Sequence, residues 1–194
     1  DFVTCFPYNP IIDAIAAEGI RPVMPRTERV AVGIADGFTR ASFGRCNGVC
    51  LVQGGPGNEN QFAGVAQAFA DSVPILLLPC GPDRRELRRP QFVALNNYRS
   101  VTKSVDMAYF ADQIPTLMRR AFVSLRTGRP GPVMIEIPSD VASEEFDGEL
   151  LRYSPVKGWR SAGDQADIKR VVSALIEAKN PMIRAGNGVL YANA

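Results

Sequence analysis

The chain has 194 residues, of which 46% are hydrophobic and 22% are charged, so it is long enough and apolar enough to bury a large core. Its formal net charge of +2 argues against a nucleic-acid surface, and no apolar run approaches the roughly 20 residues that a transmembrane helix needs. No signal peptide is recognised at the start, so we expect a soluble globular protein of the cytoplasm or an organelle matrix.

Cysteine and histidine usage limits the chemistry of the chain. The four cysteines form no C-x-x-C pair, and three of them lie within or beside apolar, strand-like runs, where a reduced thiol behaves as a small hydrophobic group. Histidine is absent, which removes the usual Ser-His-Asp and Cys-His arrangements and deprives zinc of its commonest partner ligand. We therefore expect free thiols and no disulfide framework.

Apolar strands alternate with amphipathic helices over most of the chain. The predicted strands cover residues 3–6, 21–24, 48–52, 74–79 and 132–138. The predicted helices cover residues 10–18, with Asn9 as the cap and Gly19 as the stop, then residues 28–41, 62–69 and 115–127. Continuous apolar strands are typical of a parallel sheet that is covered on both faces, and parallel strands need helical crossovers. The sequence thus predicts a doubly wound, mostly parallel α/β domain over residues 1–142.

The second predicted helix carries an acidic residue at its entrance. Thr27 is a suitable N-cap, so Glu28 is expected in the first turn and is held there by the helix. Four apolar residues recur at helical spacing and are expected to face the core: Val30, Ile34, Phe38 and Ala41. An acid in a first turn has a simple structural explanation, since it satisfies the helix N-terminus and its dipole. Together with the glycine turn that follows, however, Glu28 resembles one wall of a cofactor pocket.

That glycine turn covers residues 54–60, directly after the apolar strand 48–52. Its small residues, such as Gly54, would let the backbone approach a flat ring, while Asn60 supplies a directional polar group. The spacing differs from G-x-G-x-x-G, and no acidic residue ends a following strand, so a dinucleotide site is disfavoured. A tight turn without a ligand is the remaining alternative.

Residues 81–97 are rich in charge, proline and amide side chains, which predicts a long functional or interface loop. Its basic cluster is interpreted as a solvated loop rather than an anion site, and consists of Arg84, Arg85, Arg88 and Arg89. Val101 and Thr102 are predicted to form an edge strand after this loop.

Residues 143–163 lose the periodicity and are predicted to form a linker. A second unit, residues 164–194, then begins with a helix capped by Asp164, followed by a strand at residues 181–185 and a glycine turn at 186–188. The apolar face of that helix consists of Ile168, Val171, Val172, Leu175 and Ile176. One helix and one strand cannot form a core, so this unit is either the incomplete start of a second α/β domain or docks on the first.

Four segments carry a resemblance to a known family. They are R-T-E-R-V-A-V-G-I-A-D-G-F-T-R-A, L-V-Q-G-G-P-G-N-E-N, A-F-A-D-S-V-P-I-L-L-L and S-L-R-T-G-R-P-G-P-V-M-I-E-I-P-S-D-V. In this order they resemble the flavodoxin-like, N-terminal pyrimidine-binding domain of thiamine-diphosphate-dependent enzymes, and most closely the acetolactate synthase group. The resemblance covers residues 1–141, and the remainder is similar to the beginning of the family's central domain, which holds FAD in some members.

The resemblance implies a role for the acidic residue at the helix entrance. Glu28 would be catalytic: its carboxylate would bond to a ring nitrogen of the aminopyrimidine and stabilise its protonated or imino form, and a closed, low-dielectric pocket would strengthen that bond. The glycine turn would bind the same ring through Gly54, Pro56 and Asn60.

Other site residues follow from position in the resemblance. Pro7 and Tyr8 match the place of a turn over the pyrimidine, although the family's glycines are absent there. Gln91 is a candidate substrate contact, since synthases often have a Phe-Gln pair where this chain has Gln91-Phe92 in reversed order, and a surface amide is the alternative. Two further departures are Thr27, where many relatives have histidine, and the pair Gln53-Gly54, which replaces a hydroxyl-bearing pair.

The resemblance also implies a second half of the site. The family anchors the cofactor's diphosphate through Mg²⁺ with a G-D-G motif in a separate domain, and these 194 residues contain no such motif. No metal ligand is therefore assigned to this chain. The resemblance implies that the site forms against the diphosphate-binding domain of a neighbouring subunit, in a homodimer or tetramer, and that this segment alone has no turnover.

The preferred function is decarboxylation of a 2-oxo acid, such as pyruvate, followed by carboligation, as in acetolactate synthases. The alternatives are a thiamine-diphosphate-dependent decarboxylase or lyase and a non-catalytic α/β module that retains the scaffold. The missing histidines favour carboligation over simple protonation of the intermediate, because histidine pairs serve as proton donors in the pyruvate decarboxylase branch.

Overall fold

The computed structural model describes residues 1–7, 10–86, 92–146, 153–159 and 161–192. Seven strands form one sheet. They are β1 (Phe2–Phe6), β2 (Arg21–Val23), β3 (Gly48–Val52), β4 (Ile75–Leu77), β5 (Cys80–Gly81), β6 (Ser104–Met107) and β7 (Val133–Pro138). The helices are α1 (Ile11–Ala17), α2 (Glu28–Ala41), α3 (Pro56–Ala70), α4 (Ala94–Asn97), α5 (Ile114–Arg126), α6 (Ser139–Ala142), α7 (Gln165–Glu177) and α8 (Asn187–Ala192).

The strand pairings among the described residues are all parallel. Strand β1 lies between β2 and β3, and β3 continues through β4 to β7. Both β4 and β6 pair with Val133 and Met134, so they flank β7 on opposite sides, and β5 pairs with β7 farther along. This arrangement confirms the predicted doubly wound, mostly parallel α/β domain.

A hydrophobic core covers each face of the sheet. On one face, α1 and α5 pack against residues such as Leu51, Leu76 and Ile135. On the other face, α2, α3 and α4 pack against residues such as Val52 and Met134. All six residues of β7 are buried, and five of them are apolar, as is typical of a strand that is covered on both faces; the exception is Glu136. None of the helices among the described residues is long and apolar enough to span a bilayer.

The predicted ends of the first helices are largely confirmed. Thr27 caps α2, since its hydroxyl oxygen accepts a 3.3 Å hydrogen bond from the backbone N–H of Val30. Gly19 stops α1 with φ +75°, and the next residue, Ile20, donates back to the carbonyl of Ile15. The N-cap of α1 is Pro10, which was predicted as the first helical position. The predicted cap, Asn9, lies outside the described residues.

The predicted core face of α2 is wrong. Val30 and Phe38 are 47% and 38% exposed, Ala41 is exposed and Ile34 is only partly buried. The buried residues are instead Glu28, Ala31, Val32, Ala35 and Thr39. The reason is close packing: a Cβ on Gly48 of β3 would lie 2.6 Å from the carbonyl carbon of Ala35, so at this point the small residues of α2 face the sheet.

Several predicted boundaries shift between residues 54 and 107. Helix α3 begins at Pro56, inside the predicted glycine turn, so Asn60 lies on a helix. The predicted loop 81–97 contains the end of β5 and helix α4, while its residues 87–91 lie outside the described ranges. The predicted edge strand at Val101 and Thr102 is wrong: Thr102 is buried and donates to the carbonyl of Tyr98, and the edge strand is β6.

Arg84 of the basic cluster is exposed and lies in a turn, in agreement with the interpretation as a solvated loop, but it also forms an ion pair. Its Nε lies 2.6 Å from Oδ2 of Asp140, and its guanidinium also donates to the carbonyl of Tyr109. Burial raises the pKa of Asp140, but the hydrogen bonds that its carboxylate accepts from the side chain and the backbone N–H of Arg84, together with the positive charge of the arginine, outweigh this effect and lower the pKa. Arg85 is exposed, and Arg88 and Arg89 lie outside the described residues.

The second unit contains the predicted helix but not the predicted strand. Asp164 caps α7 by accepting hydrogen bonds from the backbone N–H groups of Ala166 and Asp167. Residues 181–185 form no strand, and none of the described strands pairs with them. Helix α8 begins inside the predicted glycine turn. The whole apolar face of α7 is exposed, and its most exposed member, Ile176, is 79% accessible.

Candidate functional site

The order of the strands reverses beside β1. The chain passes from β1 outward to β2 and then returns to place β3 on the opposite side of β1. In open α/β sheets, ligands bind outside the carboxyl ends of the strands at such a switch point. Phe6 pairs with Val52 at this edge, and the N–H of Gln53 donates to the carbonyl of Phe6. Pro7 therefore lies beside the start of the glycine turn.

Glu28 is a buried acid at this edge of the sheet. It begins α2, and only 4% of its surface is exposed. Asn60 Nδ2 donates to Oε2 of Glu28 at 3.2 Å, and Gln53 Nε2 donates to Oε1 at 3.5 Å. The carboxylate thus contacts side chains from β3's end and from α3, which lie 25 and 32 residues away along the chain.

The glycines of the turn have separate structural reasons. A Cβ on Gly54 would lie 2.6 Å from the carbonyl oxygen of Cys80, so Gly54 is required by packing within the protein. Gly55 caps α3 with φ +59°, a conformation that side chains disfavour, and Pro56 occupies the first turn. A Cβ on Gly57 would lie 2.7 Å from Cγ of Gln53 and 3.5 Å from Oε1 of Glu28.

The structure brings together part of the predicted set. Glu28 and Asn60 are in direct contact, and the turn of Gly54 and Pro56 adjoins them through Gln53 and Gly57. Tyr8 and Gln91 lie outside the described residues, so their predicted roles stay predictions. The residue that sequence reasoning missed is Gln53. The sequence contained a signal for it, because Gln53-Gly54 replaces a hydroxyl-bearing pair of the relatives, but Gln53 was not assigned as a site residue.

A buried polar network supports the first turns of α3. The hydroxyl of Tyr98 donates to the carbonyl of Asn58 at 2.6 Å, and Gln61 Nε2 donates to the side-chain oxygen of Asn58 at 3.0 Å. All three residues are at most 1% exposed. Burial raises the pKa of Tyr98, so its hydroxyl stays neutral and remains a donor. This network fixes the helix that carries Asn60.

Further ionisable groups lie in the sheet near the site. Burial raises the pKa of Glu136 to about 7, and the backbone N–H of Leu95 opposes that shift. Burial also raises the pKa of the Cys50 thiol to about 12 and that of Cys80 to about 11, so neither forms a thiolate at neutral pH. The four cysteines are free.

The described residues contain no metal-ligand cluster, and two grooves of the domain are not lined by Glu28. Among the described residues, no group of three or more acidic or cysteine side chains is placed to hold a metal ion. Grooves of about 530 and 490 Å³ lie along β6 and α5, and both include Asp106, Thr116 and Arg120.

Comparison with known proteins identifies the class to which this fold and site belong. In parallel α/β domains the switch point of the sheet is where ligands bind, and here it contains a buried acid. Residues 2–106 match the family described as thiamine pyrophosphate enzyme, N-terminal TPP binding domain. The chain therefore belongs to this family, which confirms the resemblance found in the sequence.

Similar proteins include three curated relatives. Glyoxylate carboligase from Escherichia coli O157:H7 is 35% identical over 190 residues, which are 96% of this chain and 32% of the relative. A probable acetolactate synthase large subunit from Methanocaldococcus jannaschii is 34% identical over 95% of this chain and 32% of its own. The acetolactate synthase large subunit of Haemophilus influenzae is 31% identical over 99% of this chain and 35% of the relative. The chain thus spans about a third of the length of these relatives.

Proposed function

We propose that this chain is the cofactor-activating part of a thiamine-diphosphate-dependent enzyme that decarboxylates a 2-oxo acid and carries out carboligation, as an acetolactate synthase does. Its membership of the family and the names of its relatives support this proposal. The observation that carries it is the buried carboxylate of Glu28 at the switch point of the sheet.

The residues at this edge fit the aminopyrimidine of thiamine diphosphate. A buried carboxylate is a strong acceptor for the N–H of a protonated ring. Among the residues that the structure describes, each oxygen of Glu28 accepts from one side chain and keeps a further lone pair. Gly54 and Pro56 form the adjacent backbone, and Pro7 with Tyr8 would form the opposite wall. When bound, thiamine diphosphate supplies the carbanion chemistry of decarboxylation and carboligation.

Glu28 is the catalytic residue in this proposal. Its carboxylate holds the ring nitrogen and favours the protonated form, and its 4% exposure keeps water from competing for that bond. Asn60 orients the acid, and Gln91 is proposed to contact the substrate. The enzyme would be classified as a transferase or a lyase.

The remainder of the site is proposed to lie outside these residues. Diphosphate and Mg²⁺ would be held by a further domain of a neighbouring subunit, in a homodimer or tetramer of a cytoplasmic enzyme. Residues 1–142 would form the pyrimidine-binding domain, 143–163 a linker, and 164–194 the start of a central domain for which FAD is a candidate ligand. The exposed apolar face of α7 supports this division, because a complete domain would bury it. The segment alone would have no turnover.

The test uses the complete polypeptide that carries this chain, with thiamine diphosphate, Mg²⁺ and a series of 2-oxo acids. We expect Glu28→Gln to lower turnover by at least about 100-fold while the fold is retained. Glu59→Gln replaces an exposed acid near the start of α3 and is the matched control. Unchanged turnover in Glu28→Gln would contradict the proposal. Failure of the wild type to bind thiamine diphosphate would favour the non-catalytic module. Product analysis separates carboligation from simple decarboxylation.

A further inference from the structure

Two amide side chains hold the two oxygens of one carboxylate. Gln53 reaches Oε1 of Glu28 from the end of β3, and Asn60 reaches Oε2 from α3. The terminal torsion of a glutamate side chain is broad, so a carboxylate without partners rotates through many orientations. Donors to both oxygens restrict that rotation and set the plane of the group.

The side chain of Gln53 can reach Glu28 because residue 57 is a glycine. A Cβ on Gly57 would lie 2.7 Å from Cγ of Gln53, which is closer than real Cβ contacts. Gly57 is buried in the first turn of α3, so no other residue type leaves this space. The glycine therefore has a specific consequence: it admits the side chain of Gln53 alongside the acid.

We propose that Gln53 is a positioning residue that acts through Glu28, by fixing with Asn60 the plane in which the carboxylate faces the aminopyrimidine. This inference rests on the proposed function. The two bonds measure 3.5 and 3.2 Å, longer than the 2.7–2.9 Å typical of charge-assisted hydrogen bonds. They orient the acid while leaving acceptor capacity on each oxygen, since an ionised carboxylate accepts about four hydrogen bonds.

The test compares Gln53→Met with wild type in the complete polypeptide. Methionine keeps the length of the side chain and removes the amide donor. Gln67→Met, at an exposed position of α3, controls for the new thioether. The measurements are the dissociation constant of thiamine diphosphate in Mg²⁺ by calorimetry, the near-ultraviolet circular dichroism of the bound pyrimidine, and turnover. We expect about tenfold weaker binding or lower turnover, and an altered circular dichroism signal, in Gln53→Met only.

A double-mutant cycle with Glu28→Gln tests whether Gln53 acts through the acid. We expect Gln53→Met to have little further effect in the Glu28→Gln background, because the carboxylate that it orients is gone. Equal effects of Gln53→Met in the wild-type and Glu28→Gln backgrounds would overturn the inference. The inference would also be overturned if Glu28→Gln abolished turnover while Gln53→Met in the wild-type background changed nothing. If Glu28→Gln itself changes nothing, the proposed function fails instead.

A second variant keeps the inference testable if Gln53→Met does not fold. Gly57→Ala leaves Gln53 in the sequence and places a methyl group where its side chain passes. We expect it to reproduce the loss of binding and the altered circular dichroism signal. Wild-type values in a folded Gly57→Ala protein would overturn the inference.

Discussion

The hydroxyl of Tyr98 donates a 2.6 Å hydrogen bond to the backbone carbonyl of Asn58, across 40 residues of sequence. This contact joins the turn after α4 to the first turns of α3, where Asn60 faces Glu28. The ring of Tyr98 also packs edge-on against Phe62 and Phe92, with centroid distances of 5.2 and 6.0 Å. The site thus depends on a polar contact that is enclosed by aromatic side chains.

Replacement of Tyr98 by phenylalanine isolates the hydroxyl from the ring. We expect Tyr98→Phe to lower the free energy of unfolding by about 1–2 kcal/mol, because the ring packing stays and a buried hydrogen bond is lost. Urea denaturation measures the change. Tyr109→Phe, at a residue that is 52% exposed, is the control and should change the free energy by less than about 0.5 kcal/mol. An equal effect of the two variants would contradict this account.

Replacement by alanine should have opposite effects on stability at Gly48 in β3 and at Gly37 on the exposed side of α2. In Gly48→Ala the new methyl group meets the backbone of Ala35, so α2 must move away from β3 at a cost of about 1–3 kcal/mol. A Cβ on Gly37 in α2 meets nothing within 4 Å, so Gly37→Ala should stabilise by about 0.5–1 kcal/mol through helix propensity. Thermal unfolding of both variants checks the pair. A stabilising Gly48→Ala would refute the close packing of helix and strand.

Glu136 should make stability depend on pH. Burial raises its pKa in the folded chain to about 7 from an ordinary value of 4.5, so the native state binds the proton more tightly than the unfolded state. This contribution to stability is complete below pH 4.5 and is lost as the pH rises to about 7. Over that range, the wild type should lose up to about 3 kcal/mol relative to Glu136→Gln.

Denaturation curves at several pH values measure that difference. The oxygen of a glutamine at position 136 can still accept from the N–H of Leu95, so the comparison reports mainly the charge. Glu18→Gln, at an exposed position, is the control for replacing a carboxylate by an amide. Parallel pH profiles of wild type and Glu136→Gln would show that the buried carboxyl is not protonated near neutral pH.

The cap of α2 should contribute measurably to stability. Thr27→Ala removes the hydroxyl that accepts from the N–H of Val30, and we expect a loss of about 1 kcal/mol. Thr27→Ser keeps the acceptor and should retain most of the stability. Chemical denaturation of the two variants gives the comparison. A similar loss in both would mean that the methyl group of Thr27, and not its hydroxyl, stabilises the helix entrance.

The α2 helix illustrates how far local sequence patterns reach. Thr27 and Glu28 were placed correctly, because capping depends on residues only three positions apart. The buried face was misjudged, because α2 has apolar residues on two sides, and the choice between them depends on how closely β3 approaches. The large side chain of Phe38 instead contacts the ring of Phe2 at the border of the sheet, with centroids 4.9 Å apart.

Partner strands explain the errors elsewhere. The edge strand was predicted at Val101 and Thr102, but pairing with Val133 begins at Ser104, so the neighbour determines the register. Residues 181–185 have a strand-like composition and remain without strand structure, since a strand needs a partner to satisfy its backbone groups. Apolar composition indicates a tendency to form strands, whereas hydrogen-bonded neighbours decide which residues do so.

The sequence by itself determined the alternation of strands and helices, the cap before Glu28, the glycine-rich segment after β3 and the family to which the chain belongs. These features depend on short-range chemistry, since caps, turns and apolar periodicity involve residues a few positions apart. Only the tertiary structure decided that Gln53 and Asn60 converge on the carboxylate of Glu28, because that contact depends on how β3 and α3 pack around α2. Residues that are distant along the chain meet through packing, and no local pattern records where they meet.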